Sequence, residues 1–362
     1  MFGPKHYVPI LRWKMAEKLA LRALQQQDRA EITPLIEFTP KMFDAPRQGK
    51  KKGVKPNPSE VLLRQAKHLL ADWGYSPFFL DLHHLDGKVP AVVAGSNPLV
   101  YLANTARDYR LSLIPVTGLN RTDEHQSAVA NVARMDRRGI CLRLTLSDVF
   151  GATFYQNLKG VLEKLGIKKN DMDLLLDCEA CNPKTADLRA LFDRIRDLTE
   201  WRSVTAASGS FPKDLQEYRP GSHVILRNDW LSWKQLTFDE RGVRRKPSFS
   251  DYTIQYGHYV EPIENCNPSA SIRYTLEDRW LIMRGEGLLN EEGPGGAQYT
   301  ANAILLRDRA EFYGAGFSEG DAYIFEMSNR IDKHGNPRTW IQAGLNHHMT
   351  VVSRQIANLA DP

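Results

Sequence analysis

Residues 7–24 read YVPILRWKMAEKLALRAL, and the apolar spacing changes inside that stretch. Tyr7 to Leu11 is a continuous apolar run of the kind that makes a strand. Past Arg12 and Lys14, the positions Glu17, Leu19, Ala20 and Leu24 follow a helical period. The stretch is one βα unit, and the same sentence recurs along the chain: an apolar strand, a charged or hydroxyl residue where the strand ends, then an amphipathic helix.

The second strand is EITPLIEFTP (31–40), ending at Glu37 and Thr39. A long basic loop with Lys41, Arg47, Lys50, Lys51, Lys52 and Lys55 follows, then a helix from Ser59, taken as its N-cap, to Trp73. The third strand, PFFLDL, ends at Asp81, His83 and His84; the fourth, SLIPVTGLN, ends near Asn120. GICLRLTL ends at Arg143 and Thr145, DLLLDCEA at Asp177 and Glu179, SVTAASGSFP at Ser208 and Ser210, and SHVILRNDW at Arg227 and Asp229. Parallel strands need a crossover, usually a helix, and runs such as Leu174 to Leu176 read as strands covered on both faces. A count of eight favours closure. The expected fold is therefore a TIM-like (β/α)8 barrel over residues 1–235. A small α+β extension, 236–362, is expected to pack on it, its Trp230–Asn267 opening carrying no clean helix and its last helix carrying His347 and His348. An open Rossmann-like sheet is the alternative, disfavoured because no GxGxxG follows any strand.

Composition bounds the class. The chain has 362 residues, 42% hydrophobic and 25% charged, with net charge +5. This is the balance of an ordinary globular protein. No apolar run approaches 18 residues and no signal-peptide pattern opens the chain, so a cytoplasmic protein with no membrane partner is expected. Four cysteines (Cys141, Cys178, Cys181, Cys266) make no disulfide framework. Cys178 and Cys181 have CxxC spacing but no second pair, and are read as packing residues.

In a (β/α)8 barrel, chemistry is done at the C-terminal ends of the strands. Here those ends carry i, i+2 pairs: Arg12 with Lys14, Asp81 with His83, Arg143 with Thr145, Asp177 with Glu179, Arg227 with Asp229. With a strand period of two, each pair shares a face. The expected catalytic groups are Lys14, Glu37, Asp81, His83, Asp177 and Glu179. Arg12, Arg143, Arg227, Asp229, Lys50, Lys51, Lys52, His347 and His348 are expected to bind substrate, and Asp81, Asp177 and Glu179 to hold a divalent cation, Mg2+ or Mn2+. Only one of the adjacent His83 and His84 is expected to point inward. Another reading stays open beside this one, in which the same charges form salt bridges that merely plug the barrel.

The opening YVPILRWKMAEKLALRAL, the ITPLIEF and FFLDLHHL runs and the closing RTWIQAGLNHHMTVVSRQI resemble the phage T4 beta protein family, found in phages and bacterial mobile elements. The resemblance covers nearly the whole chain. Lys14, Glu17, Glu37, Asp81, His347 and His348 match the family's pattern, which carries over no catalytic roles. It implies a part in phage–host conflict. With the residues above, it leaves three functions: a hydrolase of a phosphate ester, a binder of a nucleotide or nucleic acid without turnover, and an interaction protein with a partner from a phage or defence operon.

Overall fold

The computed structural model describes residues 2–45, 52–239, 242–261, 266–330 and 332–359. The repeated βα units close as expected. Strands β1 (Tyr7–Leu11), β2 (Leu35–Glu37), β3 (Phe78–Asp81), β4 (Leu113–Thr117), β5 (Ile140–Thr145), β6 (Met172–Asp177) and β7 (Ser203–Ser208) run parallel in chain order. Alternation along them fills the barrel with Val8, Ile10, Leu35, Phe79, Ile114, Val116, Cys141, Leu175 and Ala207, while the other face packs on the surrounding helices, as both sides of a parallel strand must.

The eighth barrel strand is a correction. Residues Gly221–Leu226, expected to close the ring, form β8, which pairs antiparallel with β11 (Arg279–Arg284) in a three-stranded sheet of order β10-β11-β8, β10 being Ile272–Thr275. Val224 and Leu226 on β8 are more than half exposed, which a strand inside a closed parallel barrel cannot be. The closing strand is β9, Ser248–Asp251, hydrogen-bonded to β7 on one side and β1 on the other. The barrel therefore runs past residue 235. Its last strand comes from the segment expected to belong to the extension.

That segment holds a second departure. WLSWKQL is helical, within Asn228–Phe238, and reads poorly as a helix because Asp229, Ser232 and Thr237 are buried along with Trp230, Trp233 and Leu236. Asn57, rather than Ser59, caps the helix Pro58–Asp72, its side chain accepting from the Ser59 N–H at 3.0 Å.

The C-terminal helix Pro337–Ala357 ties the extension to the first βα unit. Leu345, Met349, Val352 and Ile356 join the core around the barrel, Asn346 Nδ2 donates to the Ala20 carbonyl at 3.1 Å and Arg354 Nε to Asp28 Oδ1 at 2.8 Å. At Gly320 an added Cβ would meet the Ala343 carbonyl oxygen at 2.2 Å. The helix Glu319–Ser328 thus packs backbone to backbone on the C-terminal one, where only glycine fits.

Candidate functional site

The alternation that fills the barrel with apolar side chains ends in a charged layer at the C-terminal mouth. Glu37 and Asp81 stand opposite each other on β2 and β3, and Arg143 reaches from β5 between them. Its Nη1 donates to Glu37 Oε1 at 2.8 Å and to Asp81 Oδ2 at 2.9 Å, and its Nε to Asp177 Oδ2 at 2.9 Å. Its Nη2 donates to the Tyr252 hydroxyl at 2.9 Å, which in turn donates to Asp177 Oδ2 at 2.6 Å. Arg121 Nη2 donates to Asp81 Oδ1 at 3.0 Å, and Arg12 Nε lies 3.7 Å from Glu37 Oε2. Three guanidiniums thus meet three carboxylates. Burial alone would raise the Glu37 carboxyl, but Arg143, His84 and Arg12 bring it down to about 2, and Arg121 and Arg143 likewise overcome burial to lower Asp81. Arg143 is a buried plug that ties Glu37, Asp81 and Asp177 together.

Above the plug, more exposed acids have looser partners: Glu179 Oε1 lies 3.7 Å from His258 Nδ1 and Asp86 Oδ2 3.8 Å from Arg121 Nη1. Glu179 lies past the end of β6, so the strand period expected to align it with Asp177 does not apply. Its backbone is left-handed, φ 53°, held by its own N–H donating to Asp177 Oδ1 at 2.7 Å and by the Gly209 N–H donating to its carbonyl at 2.7 Å. Such conformations are costly and gather at functional sites. Gly257 crosses beneath; a Cβ there would meet Ala180 N at 2.7 Å. Burial and then the charge of Asp177 raise the Glu179 carboxyl, and burial and Asp81 raise Asp86. A hollow of about 350 Å³ is lined by His83, Asp86, Asn120, Arg121, Arg143, Thr145, Ser147, Asp148 and Glu179. An apolar hollow of about 400 Å³, lined by Leu82, Leu85, Val89, Pro98 and His125, shares Asp86 with it.

His83 and His84 both turn toward the mouth. They lie not in the strand but in a 3-10 turn, His83–Leu85, so the rule that adjacent strand residues face opposite ways does not hold. Their ring centroids are 3.6 Å apart, and His84 Nε2 lies 3.2 Å from Glu37 Oε2. Among the described residues, Glu37, His83 and His84 bring one ligating atom each to within 4.8 Å of one another. Asp81, Asp177 and Glu179 are not gathered in this way, since Arg143 stands between Asp81 and Asp177.

Other expected residues lie elsewhere. Arg227 is fully buried under the small sheet, its Nη1 donating to the Leu276 carbonyl at 3.0 Å and to Gln355 Oε1 at 2.9 Å. Asp229 lies in the first turn of the helix beside it, hydrogen-bonded to the Ser210 and Trp230 N–H groups, its carboxyl pushed up to about 7 by burial and by Asp251. His347 and His348 are fully buried and bonded through both ring nitrogens: His347 to Asp321 and Thr275, His348 to Asp251 and Thr275. Neither has an atom to offer a substrate. Lys14 sits exposed at the start of the helix Met15–Arg22, and Lys52 lies in an exposed turn, while Lys50 and Lys51 lie outside the described residues. Arg121 and Tyr252 were not anticipated. Arg121 had a signal, as a basic residue in the loop that follows β4; Tyr252 had none, since its strand was not recognised.

Among the described residues no helix is long and apolar enough to cross a membrane. No curated protein matches the chain. The sequence model of the Beta protein family does match, over residues 7–354, from the first barrel strand to the last turns of the C-terminal helix, and the chain belongs to that family.

Proposed function

We propose that this is a phage-associated enzyme that hydrolyses a small phosphate ester of nucleotide size at the barrel mouth. The observation that carries the reading is the pair of adjoining hollows on the C-terminal face. One is polar and floored by Arg121 and Arg143, the other apolar, with Asp86 common to both. A ligand with a phosphate at one end and a flat apolar group at the other matches that division, and the volumes suit a mononucleotide-sized molecule rather than a duplex. The phosphate faces Arg121 and the outer edge of Arg143. Glu179, its carboxyl raised by burial and by Asp177, accepts the proton of the attacking water, and Asp86, also raised, returns one to the leaving oxygen. Glu37, Asp81 and Asp177 hold Arg143 in place instead of reacting.

One observation favours a second reading, an interaction protein of a phage–host conflict system that uses the barrel as scaffold: each of the three buried carboxylates accepts a hydrogen bond from Arg143, as in a structural plug. Thermal shift and turnover with nucleoside monophosphates, a phosphodiester and inorganic phosphate separate the two. Glu179→Gln is expected to reduce turnover by about 10²–10⁴-fold and to leave the unfolding midpoint unchanged or raised, since it relieves repulsion from Asp177. If no phosphate compound shifts the wild-type midpoint, the hydrolase reading fails and the scaffold reading stands.

A further inference from the structure

We propose that Glu37, His83 and His84 form a binding site for a zinc-type transition-metal cation at the edge of the barrel mouth. The topology builds the cluster. Sequential strands β2 and β3 are neighbours, Glu37 ends one of them, and the 3-10 turn that follows the other swings both imidazoles to the same side. One ligating atom from each of the three lies within 4.8 Å of the other two, so modest side-chain rotations close them around one ion at bond lengths of about 2.0–2.2 Å.

A second observation points the same way. The buried Nδ1 of His83 has no hydrogen-bond partner among the described residues, although it lies 3.2 Å from Asp81 Oδ2. The oxygen nearest that nitrogen is a carboxylate, and a carboxylate behind an imidazole is the partner that orients a metal-ligating histidine. The carboxylate is prepared for the same role. Arg143 fixes the orientation of Glu37 through Oε1, which leaves Oε2 toward the histidines. Arg12 Nε lies 3.7 Å from that oxygen, but two carbonyls, of Tyr256 and Gly257, accept from its Nη2 at 2.7 Å.

Two imidazoles and one carboxylate select the metal class. This donor set suits Zn2+ and its neighbours, whereas Mg2+ and Ca2+ take oxygen ligands. Three protein ligands leave a coordination position open, and His83, 27% exposed, lines the polar hollow. An ion here would face the ligand proposed above and polarise its phosphate oxygen. The site does not depend on that reading, because it is tested without any phosphate compound.

The experiment is calorimetric titration of the chelator-stripped chain with Zn2+ alone, with Co2+ absorption as a report on the ligands. One ion per chain is expected, with visible bands of a nitrogen–oxygen ligand set. His83→Ala and His84→Ala should each weaken Zn2+ binding by more than the ~10–100-fold that outer-shell changes cost, with an unchanged unfolding midpoint in the absence of metal. Glu37→Gln also loosens Arg143, so the two histidine variants carry the test. His258→Ala, which removes an imidazole 3.7 Å from Glu179 and outside the cluster, should bind as wild type does. The proposal is overturned if wild type takes up no stoichiometric Zn2+, if the His83→Ala/His84→Ala double variant binds undiminished, if His258→Ala abolishes binding, or if Mg2+ binds in preference to Zn2+. A chain that binds Zn2+ but no phosphate compound retains the metal site and loses only the hydrolase reading.

Discussion

Arg143→Met lowers the stability of the barrel by about 3–5 kcal/mol at neutral pH, the cost of removing one partner from a buried ionic cluster. Met fills a similar volume, so the loss measures charge more than packing. Glu37, Asp81 and Asp177, each at most 2% exposed at the side chain, are left within the same layer without their common cation, and like charges in a dry site raise one another's pKa. The pH dependence then inverts. In the wild type, Glu37 is depressed from 4.5 to about 2. Its contribution is fully present above about pH 4.5 and is lost as pH falls toward 2. In the variant, the folded-state carboxyls lie above their unfolded values, so acidification from pH 7 toward 5 restores stability that neutral pH withholds. Urea denaturation of both chains at pH 7 and 5 reads this directly. A variant as stable as wild type at pH 7, or one whose deficit grows on acidification, would show that the carboxylates are not held by Arg143.

Seven of the eight barrel strands were legible because each is an apolar run followed by a helix, and the charged layer was legible because the strand period carries from the interior to the rim. The eighth was not. Val224, Ile225 and Leu226 form a continuous apolar run that reads like a strand covered on both faces, yet in β8 exposure alternates, with Val224 and Leu226 facing out and His223 and Ile225 half-buried. The true closing strand, SFSD, has one apolar residue, Phe249, pointing to the helix layer, while small serines meet the interior; Ser250 Oγ donates to the Val8 carbonyl at 2.6 Å. Nothing in its composition distinguishes it from a loop. Arg227 and Asp229 were carried to the mouth by that error. The pairing of Glu37 with the two histidines was within reach, since consecutive strands in a barrel are neighbours. What concealed it was the treatment of His83 and His84 as strand residues. Glu179 was among the expected catalytic groups, but its alignment with Asp177 failed for the same reason, as the strand stops at Asp177 and the chain turns left-handed.

The second large effect concerns the paired histidines of the C-terminal helix, which the sequence offers either as substrate contacts or as residues of a satisfied interface. Their surroundings assign them to the joint between barrel and extension. Tyr7 on β1 donates to Asp251 Oδ1 at 2.6 Å, Asp251 Oδ2 meets His348 Nε2 at 2.8 Å, and His348 Nδ1 meets Thr275 Oγ1 on β10 at 2.9 Å. Burial lowers the His348 pKa more than Asp251 raises it, while His348, Tyr7 and Arg227 hold Asp251 below its usual value against burial. The pair is therefore a neutral imidazole donating through Nε2 to a carboxylate and accepting at Nδ1 from the threonine hydroxyl. His348→Leu keeps the volume and strands both partners, leaving a buried carboxylate oxygen unbonded, which costs about 3–5 kcal/mol. The double variant with Asp251→Asn removes the buried charge as well. It should recover a large part of that loss, because taking away both partners costs less than orphaning one. Denaturation midpoints of the two single variants, the double variant and wild type form the cycle that isolates the pair. Zn2+ binding should survive in every variant that remains folded, since Glu37 and the His83–His84 turn lie on other strands. A His348→Leu chain with an unchanged midpoint but no ligand binding would return this histidine to the site.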